Sequence, residues 1–233
     1  MGAGWFLDEL ATAGSEHLDP EYVAGYDRKS AFDPTADIEV LQGLGFGKDS
    51  TLIDLGAGTG TFAVAAAPHC RRVIAVDVSH AMLAALEDNV RKAGLGNVEI
   101  VRAGLLSYQG RERADFIYSK NTLHHLPDFW KGVALDRLAQ QLQPDGILRL
   151  RDLVYSFEPR QADPTFEAWL APAPADPRTG WTRGELETHI RTEYSTYSWL
   201  LEPMLTHAGF EILEAAFTES KVFAAYTCRR RSQ

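Results

Sequence analysis

The sequence predicts an α/β fold built on a doubly wound, mostly parallel sheet. Short apolar runs typical of buried strands alternate with helical segments from residue 51 to residue 154. Glycines at alternating positions follow the first run, as they do where a strand turns sharply into a helix. Two further strand-like runs, 210–217 and 221–228, flank a short turn near the end of the chain. Helices are therefore expected on both faces of one sheet.

The stretch 51–60, TLIDLGAGTG, opens the predicted sheet. Leu52, Ile53 and Leu55 suit a strand that is buried on both faces, and 62–67 has the pattern of a helix. Glycine permits the turn between them and lets a ligand approach the main chain without a β-carbon in the way. A strand, a glycine turn and a helix in this order form the first half of a nucleotide-binding crossover.

Charge and spacing distinguish between the possible nucleotides. The dinucleotide fingerprint is G-x-G-x-x-G, whereas this chain has G-x-G-x-G preceded by Asp54. A carboxylate there opposes a pyrophosphate but suits a ligand that carries an ammonium and a sulfonium, which is S-adenosylmethionine (SAM). Asp77, 21 residues after Gly56, ends the second strand and is placed to accept from both ribose hydroxyls.

Three motifs resemble those of the class I SAM-dependent methyltransferases: DLGAGTG at the first strand, AVDVS at the second and NTLHHLPD after the fourth. The resemblance covers roughly residues 20–228 and implies a Rossmann-like sheet of seven strands, completed by an antiparallel C-terminal strand pair. With it the chain divides into four expected regions. These are an N-terminal helical cap (1–45), the SAM-binding α/β core (46–154), a proline-rich, substrate-covering insertion (155–197) and a C-terminal helix with the strand pair (198–233).

By this resemblance, twelve residues are expected to bind SAM. Asp54 would lie near the methionine ammonium, and Asp77 would take the ribose hydroxyls. Val78 and Met82 would flank the adenine. The structural alternatives are a helix-capping acid for Asp54 and a plain core residue for Met82. The full set is Tyr26, Asp54, Gly56, Gly58, Thr59, Asp77, Val78, Met82, Ala103, Gly104, Leu105 and Asn121.

Gly104 departs from the pattern of the family. Many relatives place an aspartate after the third strand, where it accepts from the adenine amino group, but here a glycine stands in that position. The acid is therefore missing or supplied from elsewhere, and the backbone of 103–105 is expected to contact the adenine. A non-catalytic SAM-binding protein is the alternative that this departure supports.

His124 and His125 follow the fourth strand, at the carboxyl edge where doubly wound folds bind ligands. Because adjacent side chains point in different directions, at most one histidine is expected to face the pocket, where it would suit a general base. The alternative is that both shape the loop and cap the next helix. A metal site made of these histidines with Asp128 or Asp152 would require their side chains to converge, and nothing in the sequence indicates that they do. No metal is therefore expected.

Side chains outside the core strands are further candidates for the site. His189 and Glu193 are polar candidates, although a solvated helix face is their expected role. Tyr26 is expected to cover SAM. Seven aromatic residues either line an acceptor pocket or form a small core of their own: Tyr22, Tyr26, Trp169, Trp181, Tyr194, Tyr197 and Trp199.

Composition narrows the classes of function. The 233 residues carry a net charge of −9, which argues against nucleic acid and against an anionic membrane as partners. Two cysteines give neither a metal spacing nor a disulfide framework. The N-terminus lacks a signal-peptide pattern and no apolar run approaches the thickness of a bilayer, so a soluble, cytoplasmic protein is expected.

The predicted function is methyl transfer from SAM to the oxygen, nitrogen or carbon of a small, fairly apolar metabolite. RNA methylation is an alternative, disfavoured by the net charge and by the lack of an N/D-P-P-Y-like loop after Tyr118. NAD-dependent oxidoreduction is the least favoured alternative, because Asp54 is present and G-x-G-x-x-G is not. The sequence leaves the acceptor and the oligomeric state open.

Overall fold

A computed structural model describes residues 4–232, and of residues 15 and 16 it describes the backbone alone. Over this range the chain forms eight strands in one mixed sheet: β1 Thr51–Leu55, β2 Arg72–Asp77, β3 Val98–Arg102, β4 Ala114–Lys120, β5 Leu142–Tyr155, β6 Thr196–Tyr197, β7 Phe210–Phe217 and β8 Phe223–Arg230. The sheet order is β3-β2-β1-β4-β5-β8-β7, parallel from β3 to β5 and antiparallel at β8 and β7. The predicted seven-stranded sheet with an antiparallel C-terminal pair is confirmed, and the additional strand is the two-residue β6 beside β5.

Nine α-helices lie between residues 4 and 232: α1 Glu9–Thr12, α2 Pro20–Ser30, α3 Thr35–Gly43, α4 Thr61–Ala66, α5 His80–Lys92, α6 Asp128–Gln141, α7 Ala162–Leu170, α8 Arg183–Thr192 and α9 Ser198–His207. Four of them, α1, α2, α5 and α8, start at a residue whose side chain accepts a capping hydrogen bond. Ser79 caps α5 by accepting from the Met82 N–H, and Thr182 with Glu185 forms the capping box of α8. Within this described part of the chain, every helix is too short or too polar to cross a membrane.

The sheet separates two apolar layers. Side chains alternate along β1, so Leu52 packs in one layer with Phe62, while Ile53 and Leu55 pack in the other. The apolar residues at helical spacing on α5 are all buried: Met82, Leu83, Leu86 and Val90. Because both faces are covered, the carboxyl ends of the strands are the edge that remains for a ligand.

The fifth strand starts earlier than the sequence predicts. The turn at 144–146 predicts a start at Ile147, whereas β5 begins at Leu142. Leu142 pairs with Ala114 and Ile147 pairs with Phe116, so the residues between them bulge out of the ladder. The predicted turn is therefore a bulge within the strand.

A buried ion pair fastens α3 to the sheet. Asp37 is 1 % exposed, and its carboxylate accepts from Arg149 at 3.0 Å and from Arg151 at 2.6 Å. The Tyr118 hydroxyl donates a further hydrogen bond to Asp37 at 3.0 Å. The buried charge of Asp37 is thus paired, and it anchors α3 to β4 and β5.

The chain after β5 builds a third apolar cluster. Leu153, Tyr155, Phe157 and Val222 are its buried members. Two of the seven aromatic residues considered for the acceptor pocket, Trp169 and Tyr197, pack against this cluster. These two rings belong to a small core of their own, which was the structural alternative for the set.

Candidate active site

A cavity opens at the carboxyl ends of β1, β2 and β4, where the sequence predicts the cofactor. Asp54 and Thr59 lie outside its lining. The other ten residues that are predicted to bind SAM line it: Tyr26, Gly56, Gly58, Asp77, Val78, Met82, Ala103, Gly104, Leu105 and Asn121.

Asp77 ends β2 with its carboxylate in the wall of this cavity. Its Oδ1 accepts from the Ser79 N–H at 2.8 Å, and its Oδ2 accepts from the Gly58 N–H at 2.9 Å. Burial raises the pKa of Asp77 in spite of these hydrogen bonds. The two backbone donors fix the direction of the carboxylate, and each oxygen keeps a lone pair for a further donor.

The turn after β1 touches the loop after β4. Gly56 has a φ of +75°, and a β-carbon on it would lie 1.9 Å from Thr122 Oγ1. A side chain at this position would therefore force the two loops apart as well as strain the backbone. The sequence explains this glycine by the sharp turn and the approach of a ligand. The structure adds a further reason, which is close contact with the loop after β4.

Asp54 lies behind the lining of the cavity. It is 2 % exposed, and its Oδ2 is buried with no hydrogen-bond partner in the described part of the chain. Burial, and then the charge of Asp77, raises the pKa of Asp54 to about 8. Thr59, the other predicted residue outside the lining, donates its hydroxyl hydrogen to Asp27 of α2. The buried Oδ2 of Asp54 could therefore interact with a cationic group in the cavity, either through a water molecule or electrostatically across the lining.

Glu9 of α1 places a carboxylate beside Gly104. Its Oε1 accepts from the Leu106 N–H at 2.8 Å, and its Oε2 accepts from the Ser107 hydroxyl at 2.8 Å. A β-carbon on Gly104 would lie 2.3 Å from Glu9 Oε1. Burial raises the pKa of Glu9. The third-strand loop has no acid at this position, but Glu9 of the N-terminal segment brings a carboxylate to the lining of the same cavity.

Sequence reasoning missed Glu9 because α1 has only four residues and no amphipathic repeat. The available signal was local: Asp8 caps α1 by accepting from the Leu10 N–H at 3.1 Å. Further along, the Ser79 hydroxyl donates to the His17 carbonyl at 2.6 Å and holds the segment against α5. As a result, three more N-terminal residues line the cavity: Thr12, Ala13 and His17.

Asp152 of β5 organises the loop after β4. It is 2 % exposed, and its Oδ2 accepts from the N–H groups of Leu123 at 2.7 Å and Thr122 at 3.3 Å. Its Oδ1 lies 2.5 Å from His124 Nδ1. One buried carboxylate therefore sets the direction of the loop and of the first histidine.

The two adjacent histidines occupy different places. His125 lines the cavity, whereas His124 is buried behind it. Although burial opposes its charged form, the carboxylate of Asp152 raises the pKa of His124 to about 9. Burial, and then the charge of His124, lowers the pKa of His125 to about 3. The histidine that faces the cavity is therefore the neutral one.

His189 and Glu193 join the same site. Their side chains are only 13 % and 19 % exposed, so the expected solvated helix face is wrong for both. The physical reason is that the chain after α8 turns inward, because the Tyr194 N–H donates to the His124 carbonyl at 2.9 Å. Glu193 Oε2 lies 2.9 Å from His124 Nε2 and 2.7 Å from His189 Nδ1.

A second cavity, of about 220 Å³, adjoins the first. Thr12 and His125 line both of them. Tyr194, one of the aromatic residues predicted near an acceptor, contributes to the second cavity. Its full lining is Ala11, Thr12, Gly14, His125, Thr192, Glu193 and Tyr194.

A family model described as a methyltransferase domain matches residues 52–146. The match starts in β1 and ends at the bulge of β5, and it contains the glycine turn, Asp77 and both histidines of the loop after β4. Helices α1 and α8 lie outside the matched span. So do all the residues that line the second cavity, except His125.

Comparison with known proteins gives distant relatives. The (S)-coclaurine N-methyltransferase of Papaver somniferum is 23 % identical over 180 residues, which cover 74 % of this chain and 46 % of that enzyme. The chain spans less than half the length of the curated relatives it matches. Magnesium protoporphyrin IX methyltransferase from Synechocystis PCC 6803, solved with bound SAM, has a TM-score of 0.68 at 14 % identity, covering 99 % of this chain and 100 % of its own. The [4+2]-cyclase SpnF has a TM-score of 0.64 at 16 % identity, covering 85 % of this chain and 81 % of its own.

Proposed function

The chain carries a methyltransferase domain of the class I, SAM-dependent family, and on that premise we propose that it moves the methyl group of SAM to the oxygen, nitrogen or carbon of a small metabolite. The observation that carries this proposal is the pair of adjoining cavities, which share Thr12 and His125. One cavity has the lining expected for the cofactor, and the other offers room for an acceptor. Because donor and acceptor must meet in line, two cavities with a common wall suit the reaction.

The residues of the first cavity fit the nucleoside part of SAM. Asp77 would accept from the ribose hydroxyls, since its two oxygens are held by backbone donors. Val78 and Met82 would lie on one face of the adenine and 103–105 on the other. Glu9 would accept from the adenine amino group, which is the task of the aspartate that Gly104 replaces.

The methionine part of SAM would lie between the turn after β1 and the loop after β4. Backbone groups of Gly56, Gly58 and Asn121 line this part of the cavity. The carboxyl group of Asp54 lies behind them and would favour the ammonium electrostatically, while Tyr26 would cover the ligand from α2. When bound, SAM supplies an electrophilic methyl group on a positively charged sulfur.

The protein would contribute position, exclusion of water and one proton acceptor. The N-terminal segment covers the cavity through Glu9 and through the bond from Ser79 to the His17 carbonyl. An amine or enolate acceptor needs alignment alone, whereas a hydroxyl must also lose a proton. Of the two candidate histidines, His125 is the one in the shared wall, and His124 is buried behind the cavity. A base is worth roughly 10²–10⁴-fold in rate, and the low pKa of His125 puts its share at the lower end of this range, roughly 10²-fold.

The second cavity supports a compact acceptor. Its volume of about 220 Å³ lies below the usual range of roughly 300–1,000 Å³ for ligand pockets. Its lining combines the ring of Tyr194 with the carboxylate of Glu193 and the hydroxyl of Thr12. We therefore propose an acceptor with a fairly apolar body and at least one polar group.

A non-methylating reaction of a SAM-binding protein is the second candidate. The [4+2]-cyclase SpnF shares the fold, so the fold alone leaves the chemistry open. The purely non-catalytic alternative loses its one supporting feature, because Glu9 returns a carboxylate to the place that Gly104 leaves without one. RNA methylation has little support from a chain with a net charge of −9 and an acceptor cavity of this size.

Calorimetric titration of the full chain with S-adenosylhomocysteine (SAH), SAM and NAD in parallel tests the proposal. SAH and SAM should bind and NAD should not. Asp77→Asn should weaken SAH binding by roughly 10–100-fold, the equivalent of a charged hydrogen bond, while Asp88→Asn on the exposed face of α5 leaves it unchanged. A screen of small acceptors by mass increase then tests transfer, and binding of NAD alone would overturn the proposal.

A further inference from the structure

Three imidazole nitrogens surround one carboxylate oxygen at the wall between the two cavities. Glu193 Oε2 lies 2.7 Å from His189 Nδ1, 2.9 Å from His124 Nε2 and 3.8 Å from His125 Nδ1. The four side chains are 6–19 % exposed. They come from two separate parts of the chain, the loop after β4 and the end of α8.

Two atoms of this cluster lack hydrogen bonds. His125 Nδ1 and Glu193 Oε2 are buried, and neither has a hydrogen-bond partner among the residues that the structure describes. The short contacts of Glu193 Oε2 are therefore made without hydrogen-bond geometry. A buried polar atom without a partner destabilises the fold, so two of them facing each other need an explanation.

The outer nitrogens of two histidines are fixed by polar neighbours. Asp152 Oδ1 lies 2.5 Å from His124 Nδ1, and Ser195 Oγ lies 3.0 Å from His189 Nε2. With a proton on each outer nitrogen, the inner nitrogen of His189 presents a lone pair to the cluster, and that of His124 does so once a bound ion displaces its second proton. A carboxylate or hydroxyl behind a histidine is the arrangement that orients histidines around metal ions.

We propose that this cluster is a binding site for one divalent transition-metal ion, with Zn²⁺ as the best-matched ion. Its ligands are His124 Nε2, His125 Nδ1, His189 Nδ1 and the Glu193 carboxylate. Three imidazoles and one carboxylate form a donor set that Zn²⁺ accepts in tetrahedral geometry. The ligand atoms of the first two histidines and Glu193 already lie within 4.8 Å of one another.

The spacing along the chain supports the same site. His189 and Glu193 are four residues apart at the end of α8, which places both side chains on one face of the helix. His124 and His125 are adjacent, and their rings nevertheless approach to 4.3 Å between centroids. Because four protein ligands close the shell, an ion here would fasten the end of α8 to the loop after β4, and, if the proposed function holds, His125 would serve as a base only while the ion is absent.

Metal titration of the full chain, stripped with a chelator, tests this site without an activity assay. Zn²⁺ should bind with one equivalent, and Co²⁺ should give the visible absorption of a tetrahedral complex. His189→Gln and Glu193→Gln should each weaken Zn²⁺ binding by at least roughly 100-fold, and Ser195→Ala by roughly 10-fold through the loss of orientation. His207→Gln changes an exposed histidine of α9 and should leave binding unchanged.

Titration of the same variants with SAH, in the presence of chelator, separates loss of the metal from loss of the fold. Variants that bind SAH like the wild type and fail to bind Zn²⁺ support the site. Binding that survives His189→Gln and Glu193→Gln, or that falls equally with His207→Gln, would overturn it, as would a wild-type chain that binds no metal. Zn²⁺ binding by a chain that fails to bind SAH would instead count against the proposed function alone.

Discussion

The carboxylate of Glu9 occupies the space that a side chain on Gly104 would need. The β-carbon would lie 2.3 Å from Glu9 Oε1 and 2.6 Å from Oε2, well inside van der Waals contact. A side chain on the third-strand loop would therefore displace the Glu9 carboxylate from its hydrogen bonds with Leu106 and Ser107. Glycine at position 104 leaves the room in which the N-terminal acid reaches the cavity.

Replacement of Glu9 should change which base the site accepts. Glu9→Ala removes the proposed acceptor for the adenine amino group, so SAH affinity should fall by roughly 10–100-fold. The preference for SAH over S-inosylhomocysteine, which carries an oxygen in place of that amino group, should disappear. Calorimetry with both ligands measures the two effects, and an unchanged preference would contradict the role of Glu9.

A swap of the acid between the two segments gives the matched control. Gly104→Asp alone should weaken SAH binding, because the new side chain meets Glu9 at its β-carbon. The double change Glu9→Ala with Gly104→Asp relieves the clash and returns a carboxylate, so it should bind SAH more tightly than either single variant. Simple additivity of the two losses would show that the residues act independently.

Asp54 should make the stability of the ligand-free protein depend on pH. Its folded pKa is raised from 3.8 to about 8, first by burial and then by the charge of Asp77. Between these two values the folded state binds a proton that the unfolded state has released, so stability falls as pH rises through this window. Asparagine does not titrate. The free energy of unfolding of Asp54→Asn should therefore rise relative to that of the wild type from pH 5 to pH 8, by at most about 1.4 kcal/mol per pH unit.

Urea unfolding at several pH values measures this difference. The quantity of interest is the free energy of unfolding of Asp54→Asn minus that of the wild type, because other groups titrate equally in both. Asp88→Asn on the exposed face of α5 should show a difference that stays flat with pH. A flat difference for Asp54→Asn as well would mean that the carboxyl is ionised in the folded state.

Local rules were sufficient to predict most of the fold. Ser79 and Thr182 start their helices as capping rules require, and β1 to β4 all lie within residues 51–154, where apolar runs alternate with helical segments. The short strand β6 escaped prediction because two residues carry no periodicity, and its pairing depends on the position of β5. Ten of the twelve expected SAM-binding residues line one cavity because parallel strands end at one edge.

The remainder of the site depends on contacts between distant segments. Glu9 meets Leu106 across 97 positions, and Glu193 meets His124 across 69, so neither contact leaves a local pattern. A glutamate after an amphipathic helix indicates a solvated surface when it is read by itself. Only the inward turn at Tyr194 brings it to the histidines.

Asp37 should be a stability residue with no part in binding. Asp37→Ala leaves Arg149, which is 8 % exposed, without its main partner, and the Tyr118 hydroxyl loses its acceptor. Loss of one member of a buried pair costs about 3–5 kcal/mol, and the free energy of unfolding in urea should fall by that amount. Glu214→Ala removes an exposed carboxylate 3.8 Å from Arg149 and should cost less than about 0.5 kcal/mol. SAH affinity at low temperature should be normal in both, and a loss confined to Asp37→Ala would extend the site to α3.

His124 and His125 should separate into a stability effect and a rate effect. His124→Ala leaves the carboxylates of Asp152 and Glu193 buried without the imidazole between them, so the free energy of unfolding in chelator should fall by about 3–5 kcal/mol. His125→Ala should cost about 1 kcal/mol and, in chelator, reduce turnover of a hydroxyl acceptor by roughly 10²-fold, because metal-free His125 is the proton acceptor in the wall that both cavities share. SAH affinity should stay within about twofold in both variants, as measured by calorimetry. Equal and near-normal rates for the two variants would return both histidines to a purely structural role.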